Sequence, residues 1–150
     1  MHASSTSKGW GGNCLNAIRV IRQLLDSQPG AEKPDLGLNL LTVLPRQLSP
    51  SVRELQDILE PRDSIASCIF RESNDEPAVS YVIKNLATAS RTIISHNPLA
   101  DFTSNEFCSV ADSFRGCDAW FHFEASLQFS QDLLLRLNIH SDKTRDICLA

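Results

Sequence analysis

Ala78-Val79-Ser80-Tyr81-Val82-Ile83-Lys84, followed by Arg91-Thr92-Ile93-Ile94-Ser95-His96, is the stretch from which the fold is read. Both runs are rich in β-branched and aromatic residues, the types that suit a pleated strand. Only Asn85–Ser90 separates them, so the second run can return beside the first and an antiparallel pair is expected. Ile65–Phe70 reads as a further strand just before, and Ser73-Asn74-Asp75-Glu76-Pro77 reads as a turn. No helical pattern interrupts these three strands. They therefore suggest a separate antiparallel β-flap spanning about residues 64–96.

On the N-terminal side of the flap the period changes from two to that of a helix. From Asn13 to Ser27 the apolar residues Cys14, Ala17, Ile18, Ile21, Leu24 and Leu25 share one helical face, with Arg19, Arg22, Gln23 and Asp26 opposite. Pro29-Gly30 ends that helix, residues 28–36 form a polar loop, and Leu38–Leu44 is an apolar run expected as a buried strand. Ser49 is an N-cap followed by Pro50 at the first helical position. The helix that follows carries Val52, Leu55, Ile58 and Leu59 on one face and stops at Pro61.

On the C-terminal side, Thr103 and Glu106 form a capping box ahead of the apolar stripe Phe107, Val110, Ala111 and Phe114. Ala119–Phe123 reads as a strand and Leu127–Asn138 as a last helix. Residues 1–9 are expected to be a flexible tail, residues 10–140 one domain, and residues 141–150 a frayed tail. Alternating helices and strands imply an open α/β sheet covered by helices, with Leu40, Val43, Ile69 and Phe123 facing its core.

The chain has 150 residues, enough for one domain that buries roughly 70% of its unfolded surface. A net charge of −4, with the 14 basic residues scattered, gives no footprint for nucleic acid or an anionic membrane. No apolar run approaches membrane-spanning length. The five cysteines at 14, 68, 108, 117 and 148 are odd in number and show no CxxC spacing. Met1–Lys8 is polar and has no signal-peptide core. Reduced thiols in a cytoplasmic protein are the expectation. The histidines at 2, 96, 122 and 140 show no metal-ligand spacing. The pairs Asp57/Glu60 and Asp142/Asp146 suit solvated surfaces.

Chemistry concentrates at Trp10-Gly11-Gly12-Asn13-Cys14-Leu15-Asn16. Gly11 and Gly12 allow a ligand to approach the backbone. The first-turn N–H groups lack intrahelical partners. Asn13 and Asn16 stand three residues apart on one helix face, and amide side chains donate and accept at once, which suits a polyhydroxyl ligand. By itself the segment is equally an ordinary tight turn with an asparagine cap.

Together with Ser80–Ile94 and Trp120-Phe121-His122-Phe123-Glu124, in that order and spacing, the segment resembles the N-terminal half of PfkB-type, ribokinase-like carbohydrate kinases, closest to the ketohexokinases. The resemblance covers about residues 8–138. It implies a partial ribokinase-like open sheet with a flap that acts as a lid. It also implies descent from an enzyme that moves the γ-phosphate of ATP, with magnesium, to a ketose or similar sugar. In such a relative Asn13 and Asn16 would bind sugar hydroxyls, Gly11 and Gly12 would let the sugar approach, and Arg91 would reach sugar or phosphate. The flap of one subunit in this family can clasp that of another, so a homodimer, or a complex with a full-length relative, is implied as well.

The departures from the family pattern are specific. No aspartate-bearing strand precedes Gly11; Leu44-Pro45-Arg46-Gln47 stands where the family has Gly-Asp; Ala89 replaces a turn glycine before Arg91; Ala125-Ser126 replaces Gly-Arg. The Asp-Thr-x-Gly-Ala-Gly-Asp segment that supplies the anion hole and the general base does not occur in residues 1–150. Phosphoryl transfer needs a base, stabilised phosphate charge and a metal. The chain alone is therefore expected to lack turnover, to hold no cofactor of its own, and to be poorly stable without the first strand. A non-catalytic dimerisation module is the alternative reading.

Overall fold

The computed structural model describes residues 4–27, 36–59, 61, 63–117, 121–122 and 148–149. The expected helix Leu127–Asn138, and Phe123 with its place in the core, lie outside the described residues. Among the described residues there are three helices: α1 (Asn13–Asp26), α2 (Pro50–Ile58) and α3 (Ser104–Ser113). The strands are β1 (Asn39–Leu40), β2 (Val43–Pro45), β3 (Ile69–Arg71), β4 (Val79–Lys84), β5 (Arg91–His96), β6 (Phe121–His122) and β7 (Cys148–Leu149). The fold is mixed α/β, with one antiparallel pair and otherwise parallel pairing. Among the described residues no helix is long and apolar enough to cross a membrane.

Local signals explain where the helices start. Ser49 Oγ accepts a hydrogen bond from the Val52 N–H, and Pro50 occupies the first turn of α2. Both halves of the capping box at α3 are made: the Thr103 hydroxyl accepts from the Glu106 N–H, and the Glu106 carboxylate accepts from the Thr103 N–H at 2.9 Å. α2 then serves as the crossover between β2 and β3, which pair parallel in the register Val43↔Ile69, Leu44↔Phe70, Pro45↔Arg71. Parallel neighbours require such a crossover.

That pairing corrects the expected three-stranded flap. β3 belongs beside β2, and the flap is the β4–β5 hairpin alone, in the register Val79↔His96 to Lys84↔Arg91. The strand expected at Ile65–Phe70 also begins later. Ser64 Oγ accepts from the Ala66 N–H at 3.0 Å, and the Cys68 N–H bonds the Ile65 carbonyl at 3.0 Å, so a turn occupies this stretch. Opposite it, the single strand expected at Leu38–Leu44 divides into β1 and β2, because the ladder is interrupted where its partner turns. The Ser64 backbone still reaches the Leu38 and Leu40 groups, at 2.9 and 2.8 Å, across the gap.

β7 lies between β1 and β6, parallel to both. It falls in the segment expected to be a frayed tail. The signal was the apolar run Ile147-Cys148-Leu149-Ala150, too short to separate from a polar tail by periodicity.

Two apolar clusters form. The first joins Leu15 and Ile18 of α1, Leu38, Leu40 and Leu44, Val52 and Leu55 of α2, and Ile65 and Cys68. The second sets Phe107 of α3 against Leu41, with Phe102, Val110, Ala111 and Phe121 around it. Leu40 is buried as expected, while Val43 and Ile69 are only half-buried. On α1 the buried face is rotated from the expected one. Leu15, Ile18 and Arg22 are buried, whereas Leu24 is 60% exposed. Arginine can lay its aliphatic stem along apolar surface, and here a buried carboxylate receives its head.

Candidate functional site

Gly12 caps α1 at φ 100° and ψ 139°, with no side-chain cap. A positive φ of that size suits only glycine. The Asn16 N–H donates back to the Gly12 carbonyl at 3.1 Å. A Cβ added at Gly11 or Gly12 would meet open space, so the backbone there is accessible to a ligand. Asn13 and Asn16 are both exposed on the first two turns. Trp10 anchors the segment by packing against the first apolar cluster. Its indole N–H is buried and has no hydrogen-bond partner among the described residues.

Arg91 begins β5, directly opposite Lys84. Like charges at opposed positions repel, and both side chains are exposed. Every residue of β4 and β5 is exposed. Gly11, Gly12, Asn13, Asn16 and Arg91 are thus all on open surface; the fold does not gather them into one enclosed pocket. The hairpin turn carries local backbone strain. Ala89 sits at φ 54°, a left-handed conformation that costs a non-glycine residue about 1–2 kcal/mol.

A concavity among the described residues lies elsewhere. It is an open groove of about 450 Å³ at the end of β2 and the C-terminal end of α2, with Gln47, Gln56, Asp63 and Ser64 as polar lining and Leu59 and Phe70 as apolar lining. It contains no expected site residue. Its described lining has no basic side chain and no glycine loop for phosphates, and among the described residues no group of three His, Cys, Asp or Glu could hold a metal ion. The described lining of this groove forms no cradle for ATP and magnesium.

Two ion pairs were not legible in the sequence. Arg22 pairs with Asp63, and the side chains are 10% and 2% exposed. Arg22 Nε donates to Asp63 Oδ1 at 2.8 Å, and Nη2 donates to Asp63 and to the Leu36 carbonyl, the latter at 2.9 Å. The second pair fastens β3 to α3. Arg71 grips Glu106 with both Nη atoms, at 2.5 and 3.1 Å, while also donating to the Ala100 and Asp101 carbonyls at 3.0 and 2.7 Å.

The Arg71 hydrogen bonds, with smaller help from Thr103 and against a desolvation penalty, lower the Glu106 pKa from 4.5 to about 2. Because the folded value lies below the unfolded one, the stabilisation is complete above about pH 4.5 and is lost as pH falls toward 2. Allowing for partial exposure, it amounts to on the order of 2 kcal/mol. Between pH 5 and pH 2 the melting temperature of wild type should therefore fall more steeply than that of Glu106→Gln. Parallel slopes would show that the pair does not contribute to folding.

Comparison of the chain with protein-family models, with curated proteins and with solved structures found no match.

Proposed function

We propose that this chain is the sugar-cradle and flap portion of a PfkB-type, ribokinase-like carbohydrate kinase fold, and that residues 1–150 act by association through the flap rather than by phosphoryl transfer. The observation that carries this reading is the β4–β5 hairpin. It presents Tyr81, Val82, Ile83, Ile93 and Ile94, 48–63% exposed, on strands with no buried residue. A two-stranded hairpin alone is marginal in water, and contiguous exposed apolar surface marks interaction sites. A second copy, or a full-length relative with the same flap, would supply the missing cover.

A second reading is favoured by the open N-terminus of α1. Gly11 and Gly12 leave room, and Asn13 and Asn16 are exposed amides of the type that suits hydroxyls. Binding of a ketose or similar sugar is compatible with flap association, with Arg91 as a contact to sugar or phosphate. Among the described residues Cys14, Cys68, Cys108 and Cys117 form no disulfide, in keeping with the cytoplasm as the compartment.

The two activities separate in one preparation of the 150-residue chain. Light scattering should show a dimer whose fraction rises with concentration, while an ADP-release assay with ATP, magnesium and fructose or ribose shows no sugar-dependent turnover. Turnover would overturn the proposal. So would a monomer at every concentration up to about 100 µM, weaker than any useful self-association.

A further inference from the structure

The register of the hairpin sorts its side chains onto two unlike faces. Directly opposed residues share a face and successive residues alternate. One face therefore carries Val79, Tyr81, Ile83, Thr92, Ile94 and His96; the other carries Ser80, Val82, Lys84, Arg91, Ile93 and Ser95. The second face is polar at both ends. Ser80 and Ser95 hydrogen-bond across the strands at 2.9 Å, and Lys84 and Arg91 stand side by side as two cations. The first face carries no Asp, Glu, Lys or Arg, and its ionisable side chains are His96 and Tyr81.

A twofold dimer places the same patch of both copies in contact. The face with Lys84 and Arg91 would bring four cations together, whereas the neutral face is complementary to itself. We infer that the flap self-associates through the face of Tyr81, Ile83 and Ile94, and that protonation of His96 releases it; this rests on the flap-association reading above.

His96 is the base-end residue of that face, opposite Val79 and two positions from Ile94. It is exposed in the single chain and would be covered in the dimer. Tyr81 is the other ionisable group on its face, while Lys84 and Arg91 point from the opposite face. No residue of β4 or β5 is buried against another element. No Asp or Glu occurs within Val79–His96; the carboxylates nearest in sequence to the His96 end are Asp75 and Glu76, ahead of Val79, and Asp101. Histidine changes charge between about pH 5 and 8, and covering its charged form with apolar surface is unfavourable. The sign is that the dimer is favoured at pH 8 and weakened at pH 5.5.

The test measures the dimer dissociation constant of the full 150-residue chain by sedimentation at both pH values. Wild type should weaken by about tenfold or more from pH 8 to pH 5.5. His96→Gln, a change at an exposed position, should retain its affinity within about threefold. Ile94→Lys and Ile93→Lys change neighbouring residues of the same strand on opposite faces. The first should abolish the dimer at pH 8, and the second should leave it. A wild-type chain that never dimerises removes the flap reading itself. A dimer equally strong at both pH values, equal weakening in His96→Gln, or loss of the dimer with Ile93→Lys but not Ile94→Lys overturns this inference while leaving the flap reading in place.

Discussion

Arg22→Leu is expected to destabilise the fold by about 3–5 kcal/mol, the range for removing one partner of a buried ion pair. Asp63 would be left with its side chain 2% exposed and without the guanidinium that neutralises it. The Leu36 carbonyl would lose a donor in the same step. Domain stability is only about 5–15 kcal/mol, so this single change removes a large share of it, and a fall in melting temperature of roughly 10 °C or more should follow. Arg22→Leu combined with Asp63→Leu should be much less harmful than the sum of the two single changes. Once both charges are gone, two apolar side chains can share the space. Urea denaturation of the four proteins measures the coupling. An additive double variant, or Arg22→Leu within about 1 kcal/mol of wild type, would show that α1 is held by its apolar contacts alone.

Phe107→Ala is the second large effect, also expected at about 3–5 kcal/mol. Phe107 is fully buried, with Phe102 edge-on at 6.3 Å and Phe121 at 5.6 Å. Phe121 in turn meets Phe114 edge-on at 6.0 Å. These rings and Leu41 are the means by which α3 reaches β6 and the strip of β1 and β2. Truncation leaves a cavity that the neighbouring rings cannot fill without leaving their edge-to-face contacts. The loss should be local first. Hydrogen exchange in α3 should accelerate well before exchange in α2, whose Val52 and Leu55 belong to the other cluster. Equal acceleration in both helices would mean that the two clusters unfold as one unit.

Local structure was legible because its causes lie within a few residues of one another. The start of α1 at Asn13, the Ser49–Pro50 entry to α2, the Thr103–Glu106 box and the hairpin Val79–His96 all stand where caps, turn residues and side-chain period put them. The errors share a different cause. The break in the Leu38–Leu44 run and the late start of β3 follow from a turn made by Ser64, Ala66 and Cys68. That turn competes with strand pairing through a single hydroxyl, and a count of apolar residues does not register it.

Of the candidate site, residue types and order were legible, and enclosure was not. Gly12 takes a positive φ ahead of α1, and Ala89 takes one in the hairpin turn. Yet Asn13, Asn16 and Arg91 remain on open surface, because nothing local to either segment specifies how flap and helix face each other.

What the sequence by itself determined is therefore where α1, α2 and α3 begin, and that β4 and β5 form a hairpin. What only the tertiary structure decided is partnership. It placed β3 beside β2 instead of in the flap, set β7 between β1 and β6, and turned Arg22 inward to an aspartate 41 residues away. It also joined Arg71 to a glutamate 35 residues on. Caps and periods act through hydrogen bonds and burial along one stretch of chain. Strand order and buried ion pairs instead depend on which distant groups exclude water together, and that becomes defined only when the chain has packed.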